Sequence, residues 1–273
     1  MTGYNAEQIR SATTFLFVPG HRPERFDKAA ASGADIVVID LEDAVAPALK
    51  AQAREDARKW LRSDKPAMVR INGAGTPWHE DDLGLSRDGM AALMLPKAGR
   101  VDTVKSFSPG TAVVALVETA AGLTALTELC AAPGVTRLAF GSVDLGAELG
   151  VDPVDRDALL TARSMLVVAS AAAGLPPPID GVTTVLNDPN VLADDVAYAG
   201  RLGMTGKLCI HPDQVSIANR ASTPSPEDVD WATKVVASFE SGDSVATVDG
   251  QMVDLPVLQR AQGILLAAAR SAG

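Results

Sequence analysis

The sequence predicts a (β/α)8 barrel of parallel strands, extended at its C-terminal end. Eight short apolar, β-branched runs recur between residues 15 and 212. Several are continuous rather than alternating, which suits strands covered by helices on both faces. Their starts lie about 27 residues apart, the length of one βα unit, and eight such units close a barrel. Alternation alone also accommodates an open doubly wound sheet. The polar residues favour the barrel, because they collect at the C-terminal ends of the runs, where a barrel builds its site.

The runs are 15–20 (FLFVPG), 36–43 (IVVIDLED), 67–72 (AMVRIN), 92–98 (ALMLPKA), 112–120 (AVVALVETA), 137–145 (RLAFGSVDL), 178–184 (PIDGVTT) and 207–212 (KLCIHP). Between them, Asp152-Pro153, Asp188-Pro189 and Ser225-Pro226 each place a capping side chain before a proline suited to the first helical position. Gly33 and Gly174 stand where helices should stop, and a helix is expected from near Pro23. Beyond the eighth run, residues 222–230 (STPSPEDVD) open a further helix reaching about residue 240. Residues 245–254 (VATVDGQMVD) carry an Asp-Gly turn between alternating segments, a hairpin signal. From Pro256 the apolar residues follow helical spacing. The expected organisation is therefore a catalytic barrel over residues 1–221 and an extension over 222–273. The extension is surplus to a closed barrel, so it packs on it, covers its mouth or reaches a neighbouring subunit.

Composition narrows the function. The chain has 273 residues, 47% hydrophobic and 21% charged, which is globular rather than disordered. Its net charge of −10 repels nucleic acid and anionic lipid, so neither is an expected partner and an anionic ligand needs a local basic pocket. Cys130 and Cys209 form no metal-type cluster and read as buried small hydrophobes. The N-terminal residues lack a basic start followed by an apolar run, and no uncharged stretch approaches the ~18–20 residues that span a bilayer. A cytoplasmic location is the expectation.

The strand-end rule sorts the chemically useful side chains. Asp40, Glu42 and Asp43 end run two, Arg70 and Asn72 run three, Lys97 run four, Glu118 run five, Asp144 run six and His211 run eight. Lys207 starts run eight and falls at the opposite rim. Glu118 and Asp144 are one βα unit apart. Equivalent positions on adjacent strands would let their carboxylates share one cation, as Mg2+ is usually held, although each also suits a helix cap. The planar fork of Arg70 matches a substrate carboxylate, or a fixed ion pair with Asp43 or Glu118. His211, beside Pro212, reads as a structural imidazole, and His21 and His79 carry little signal. Arg22, Arg25 and Lys28 follow the first run and offer a basic pocket for a phosphate-bearing ligand, or simply a solvated helix face.

Together these residues resemble the citrate lyase β-subunit-like (CitE-like) family of the HpcH/HpaI aldolase superfamily, which includes malyl-CoA lyases. The likeness runs through FLFVPGHRPERFDKA, IVVIDLEDAVAP, MVRIN, LMLPKA, ALVETAAGL, LAFGSVDLGAELG and GKLCIHPDQV, in that order. It implies a (β/α)8 barrel, Mg2+ on Glu118 and Asp144, Arg70 on the substrate carboxylate, and a CoA or acyl-carrier-protein thioester. The segment DGQMVDLPVLQRAQ resembles one in malyl-CoA lyases, with Val253 where isoleucine is usual. That likeness implies Asp254 as a catalytic acid/base reaching an adjacent subunit, within a homotrimer or a multiple of it. The implied reaction interconverts a 3-hydroxy-3-carboxy acyl-CoA (malyl-, citramalyl- or citryl-CoA type) with a 2-oxo acid and acetyl-CoA. Three alternatives use the same residues: a malyl-CoA-type thioesterase, a metal-independent aldolase with Lys97 as Schiff-base nucleophile, and a non-catalytic or complex-bound subunit acting with an acyl carrier protein.

Overall fold

The computed structural model describes residues 3–63, 65–87, 90–99, 107, 110–239 and 245–271. The chain divides into two compact units, residues 1–218 and 219–273.

In the first unit, β1 (Thr14–Pro19), β2 (Ile36–Asp40), β3 (Met68–Arg70), β4 (Ala92–Leu95), β5 (Ala112–Val117), β6 (Val135–Phe140), β7 (Ile179–Asp180) and β8 (Gly206–Cys209) close a barrel in sequence order. All its pairings are parallel, and β8 returns to β1 with Phe15 beside Leu208. Nearly every strand residue is buried, as a sheet sandwiched between its own interior and a ring of helices requires. Alternate residues (Phe15, Val38, Met68, Met94, Val114, Leu116 and Leu208 among them) form one cluster with Tyr4, Ile9 and Ala12.

Helix Ala6–Ser11, opened by an Asn5/Gln8 capping box, contributes Ile9 to that cluster. Arg137 of β6 secures this end. It is fully buried and donates to the carbonyls of Ile9, Ala12 and Pro177 and to the Thr205 hydroxyl. A second buried charge group lies across β7 and β8, where Asp180 accepts from Lys207 and Arg163 at 2.9 Å each. Burial pushes the Asp180 carboxyl upward, but the two cations outweigh it and hold the acid below its ordinary range.

Two expectations need correction. The sixth run ends as a strand at Phe140, and helix Ser142–Leu149 takes over. Asp144 is therefore in the first turn of a helix, not at a strand end, so it does not occupy a position equivalent to that of Glu118. An acid there is favoured by the helix dipole. Asp152-Pro153 forms a turn, with the Asp152 carboxylate accepting from Val154 N, and the next helix starts at Leu160. Asp188 and Ser225 do cap helices Pro189–Arg201 and Pro226–Ser238. Cys130 and Cys209 are both buried, and burial pushes the Cys209 thiol up to about 12.

The second unit packs helices Pro226–Ser238 and Leu255–Ser271 around a hairpin of β9 (Ala246–Val248) and β10 (Gln251–Val253). Ala232, Val235, Val248, Val253 and Ala261 form its core. At the hairpin turn Asp249 (φ 50°) and Gly250 (φ 80°) both take the left-handed conformation that a tight turn with strand-matching twist demands. Residue 240, where the preceding helix was expected to end, lies outside the described residues. No described helix is long and apolar enough to cross a membrane.

Candidate functional site

Residues at and just after the C-terminal ends of β1, β2, β3, β5, β6, β7 and β8 line a cavity of about 400 Å3. Phe17, Leu116, Val182, Leu208 and Ile210 give it an apolar wall; Asp40, Asp43, Arg70, Glu118 and Asp144 supply the charge. The parallel register brings them together, since Asp40 pairs beside Arg70 and both project into the barrel mouth.

Arg70 is committed chiefly to Asp40. Its Nε and Nη2 donate to the two Asp40 oxygens at 2.8 and 2.7 Å. Its Nη1 lies 3.2 Å from Glu42 and 3.6 Å from Asp43. Of the fixed partners considered from sequence, Asp43 is a secondary one and Asp40 was missed. Two of the five guanidinium donors are spent on Asp40, which fixes the plane of the fork and sets its Nη1 beside Glu42 and Asp43. Burial opposes the charge, but Asp40, Glu42 and Asp43 outweigh that and hold Arg70 firmly protonated.

Asp40 also folds the turn after β2, accepting from Glu42 N and Ala44 N. Lys50, buried, completes that turn by donating to the carbonyls of Leu41 and Glu42. After β3, Asp82 accepts from Asn72 N, Asn72 Nδ2 and Arg54 Nε, so helix His79–Arg87 braces the neighbouring loop. Trp78 lies under the Lys50 ammonium and does not line the cavity.

Glu118 follows β5 and is 2% exposed. Its Oε1 accepts from Lys97 N at 2.8 Å, and Lys97 takes a positive φ of 49°. The Lys97 ammonium stands 2.8 Å from Glu42 Oε1, 3.8 Å from Glu118 Oε1 and 3.8 Å from Asp144 Oδ1. Glu118 and Asp144 therefore share the reach of one small cation, even though they sit at different levels. Gly141 makes this possible: a Cβ there would lie 2.5 Å from Glu118 Oε2.

Five carboxylates (Asp40, Glu42, Asp43, Glu118, Asp144) thus face two side-chain cations, Arg70 and Lys97. The surplus has an electrostatic signature. Burial pushes the Glu118 carboxyl up to about 8, and Glu42 and Asp144 add to the push. Glu42 is raised too, by burial first, and its Oε2 is buried without a hydrogen-bond partner although Arg70 lies near it. A site short of positive charge, with an orphaned buried oxygen, fits a divalent cation. Among the described residues no three His, Cys, Asp or Glu side chains form a closed cage. That suits Mg2+, which keeps waters and takes one or two carboxylates. The same charges argue against Lys97 as a Schiff-base nucleophile: although burial opposes its charge, its hydrogen bond to Glu42 and the neighbouring carboxylates raise its pKa above that of an ordinary lysine.

The remaining candidates on the barrel do not line this cavity. Arg22 is paired with Glu24, while Arg25 and Lys28 are exposed on the segment after β1, and none of the three lines the cavity. His211 is half-exposed, its Nδ1 accepting from Asp213 N at 3.3 Å, and Lys207 belongs to the buried Asp180 group. In the second unit, Asp254 heads helix Leu255–Ser271, its carboxylate accepting from Val257 N at 3.3 Å.

Known proteins share this arrangement of elements. The structure of CitE from Mycobacterium tuberculosis in complex with magnesium, acetoacetate and coenzyme A superposes with a TM-score of 0.86 at 37% identity, over 95% of this chain and 99% of that one. A (3S)-malyl-CoA thioesterase of Cereibacter sphaeroides is 34% identical over 91% of this chain and 92% of its own. An L-malyl-CoA/beta-methylmalyl-CoA lyase from the same species is 30% identical over 92% of each. Residues 13–212 match the model of the HpcH/HpaI aldolase/citrate lyase family, and the chain belongs to that family.

Proposed function

We propose that this chain is a Mg2+-dependent carbon–carbon lyase. It would cleave or form a 3-hydroxy-3-carboxy acyl-CoA of malyl-, citramalyl- or citryl-CoA type, with a 2-oxo acid and acetyl-CoA on the other side. The observation that carries this reading is the surplus of buried carboxylate beside Arg70 in a barrel mouth. Glu118 and Asp144 would hold the ion. Magnesium in that position supplies Lewis acidity to the oxygen that alternates between hydroxyl and carbonyl.

Arg70, braced by Asp40, orients the substrate carboxylate through its Nη1 side. As the carbon–carbon bond breaks, the substrate hydroxyl gives its proton to solvent and becomes the carbonyl of the oxo acid, and the electron pair of the broken bond moves into the thioester. Asp254 of a second copy then gives a proton to the enolate carbon; in condensation it removes one from the acetyl methyl. Arg25 and Lys28, exposed after β1, and Arg22 beside them suit the phosphates of CoA. The relative crystallised with magnesium, acetoacetate and coenzyme A supports both the metal and the carrier.

A second reading is thioester hydrolysis in the same site, with Asp254 activating water; the malyl-CoA thioesterase relative favours it. Incubation with malyl-CoA and citramalyl-CoA, with and without Mg2+, separates the two. The lyase yields acetyl-CoA and a 2-oxo acid only with metal, whereas the thioesterase yields free CoA and the hydroxy acid. Turnover that survives EDTA overturns the metal-dependent reading. No turnover, combined with capture of an acyl carrier protein, assigns the chain to a complex-bound role.

A further inference from the structure

The Lys97 side chain does something the proposed reaction does not use. Its ammonium stands at the same distance, 3.8 Å, from Glu118 Oε1 and Asp144 Oδ1, the two carboxylates assigned to the metal. Its hydrogen bond goes elsewhere, to Glu42 at 2.8 Å. Toward Glu118 and Asp144 it makes no hydrogen bond, so only charge draws it to them. The side chain is 44% exposed, so it is free to withdraw toward solvent or to remain with Glu42.

The backbone of the same residue has a separate job. The Lys97 N–H donates to Glu118 Oε1 at 2.8 Å from a left-handed backbone conformation, wherever the ammonium goes. Main chain and side chain are thus separable: one positions Glu118, the other brings a positive charge near it.

We propose that the Lys97 ammonium is a built-in rival of the divalent cation. It fills the acidic cluster when the metal is absent and lowers metal affinity, because it must retreat before a dication enters. A dication held by the same carboxylates would be repelled by the ammonium at the effective dielectric of a half-buried site. In return, the ammonium offsets part of the carboxylate surplus of Glu42, Glu118 and Asp144 while no metal is bound. The inference rests on the reading that Glu118 and Asp144 hold Mg2+.

The test is calorimetric titration of Mg2+, without substrate, into the full chain and into Lys97→Met, Lys97→Arg and Glu118→Ala, with thermal melts of each in EDTA and in Mg2+. Lys97→Met keeps the backbone donor and should bind Mg2+ about tenfold more tightly or better, while Lys97→Arg stays near the parent, tenfold being the change that ~1.4 kcal/mol produces. Lys97→Met should also melt lower than the parent in EDTA and gain more from Mg2+; unfolding of this variant on chelation is the extreme form of that result. Equal or weaker Mg2+ binding by Lys97→Met overturns the rivalry while leaving the metal site intact. Parent-like Mg2+ binding by Glu118→Ala removes the site itself, and the rivalry with it.

Discussion

In the proposed reaction Arg70 binds the substrate carboxylate, and the structure pins its guanidinium on Asp40. Asp40→Asn would replace a bidentate charged partner with one that accepts through a single oxygen, loosening the guanidinium plane. The expected result is a KM for the oxo acid raised about tenfold or more with a smaller change in kcat, measured in the condensation direction. Gly141 sets the other half of the site. Gly141→Ala would drive a methyl group into Glu118, so Mg2+ affinity should fall at least about tenfold by titration while the circular dichroism spectrum stays native.

Glu118 itself supplies a pH test. Its carboxyl, pushed up to about 8 in the metal-free protein, holds a proton at neutral pH that the unfolded chain has released. Metal-free stability should therefore fall as pH rises from about 4.5 to about 8 and level off above that window. Mg2+ binding at pH 7 should release close to one proton, seen as a dependence of the binding heat on buffer ionisation enthalpy.

At the scale of elements, the barrel was legible because its strands are buried on both faces and so appear as continuous apolar runs. The strand ends were less so. In FGSVDL the apolar residues Val143 and Leu145 read as strand, yet Gly141 begins a helix that places Asp144 on its first turn. Proline after aspartate marked a helix at Asp188 and only a turn at Asp152, because the same carboxylate caps either. Asp40 was named but given no role, and Lys97 was given one only in the alternative, metal-independent reaction. Their partners lie 30 and 55 residues away, and sequence spacing does not reveal pairs brought together by barrel closure. The buried Asp180 group was equally hidden. Asp180→Ala strands Lys207 and Arg163 without their counter-ion, and chemical denaturation should show a loss of about 3–5 kcal/mol.

At the scale of the whole molecule, the two compact units divide the proposed labour: the barrel carries Glu118, Asp144 and Arg70, and the smaller unit carries Asp254. If Asp254 serves a neighbouring copy, two inactive variants should rescue each other. Mixing Asp254→Ala with Glu118→Ala chains, after dissociation and reassembly, is expected to restore part of the activity, because some sites then receive an intact barrel and an intact Asp254. Mixing without rescue, in hetero-oligomers verified by tag, would place Asp254 outside the reaction or within its own chain's site. Light scattering is expected to show a trimer or a multiple of it.

The central claim is that one divalent ion sits between Glu118 and Asp144, within reach of a substrate held by Arg70. Anomalous diffraction from crystals grown with Mn2+ and pyruvate tests it most directly. A single strong anomalous peak in coordinating contact with both carboxylates is expected, with the pyruvate carboxylate on Arg70. A peak that touches neither residue, or ordered pyruvate in the barrel mouth with no metal beside it, would contradict it.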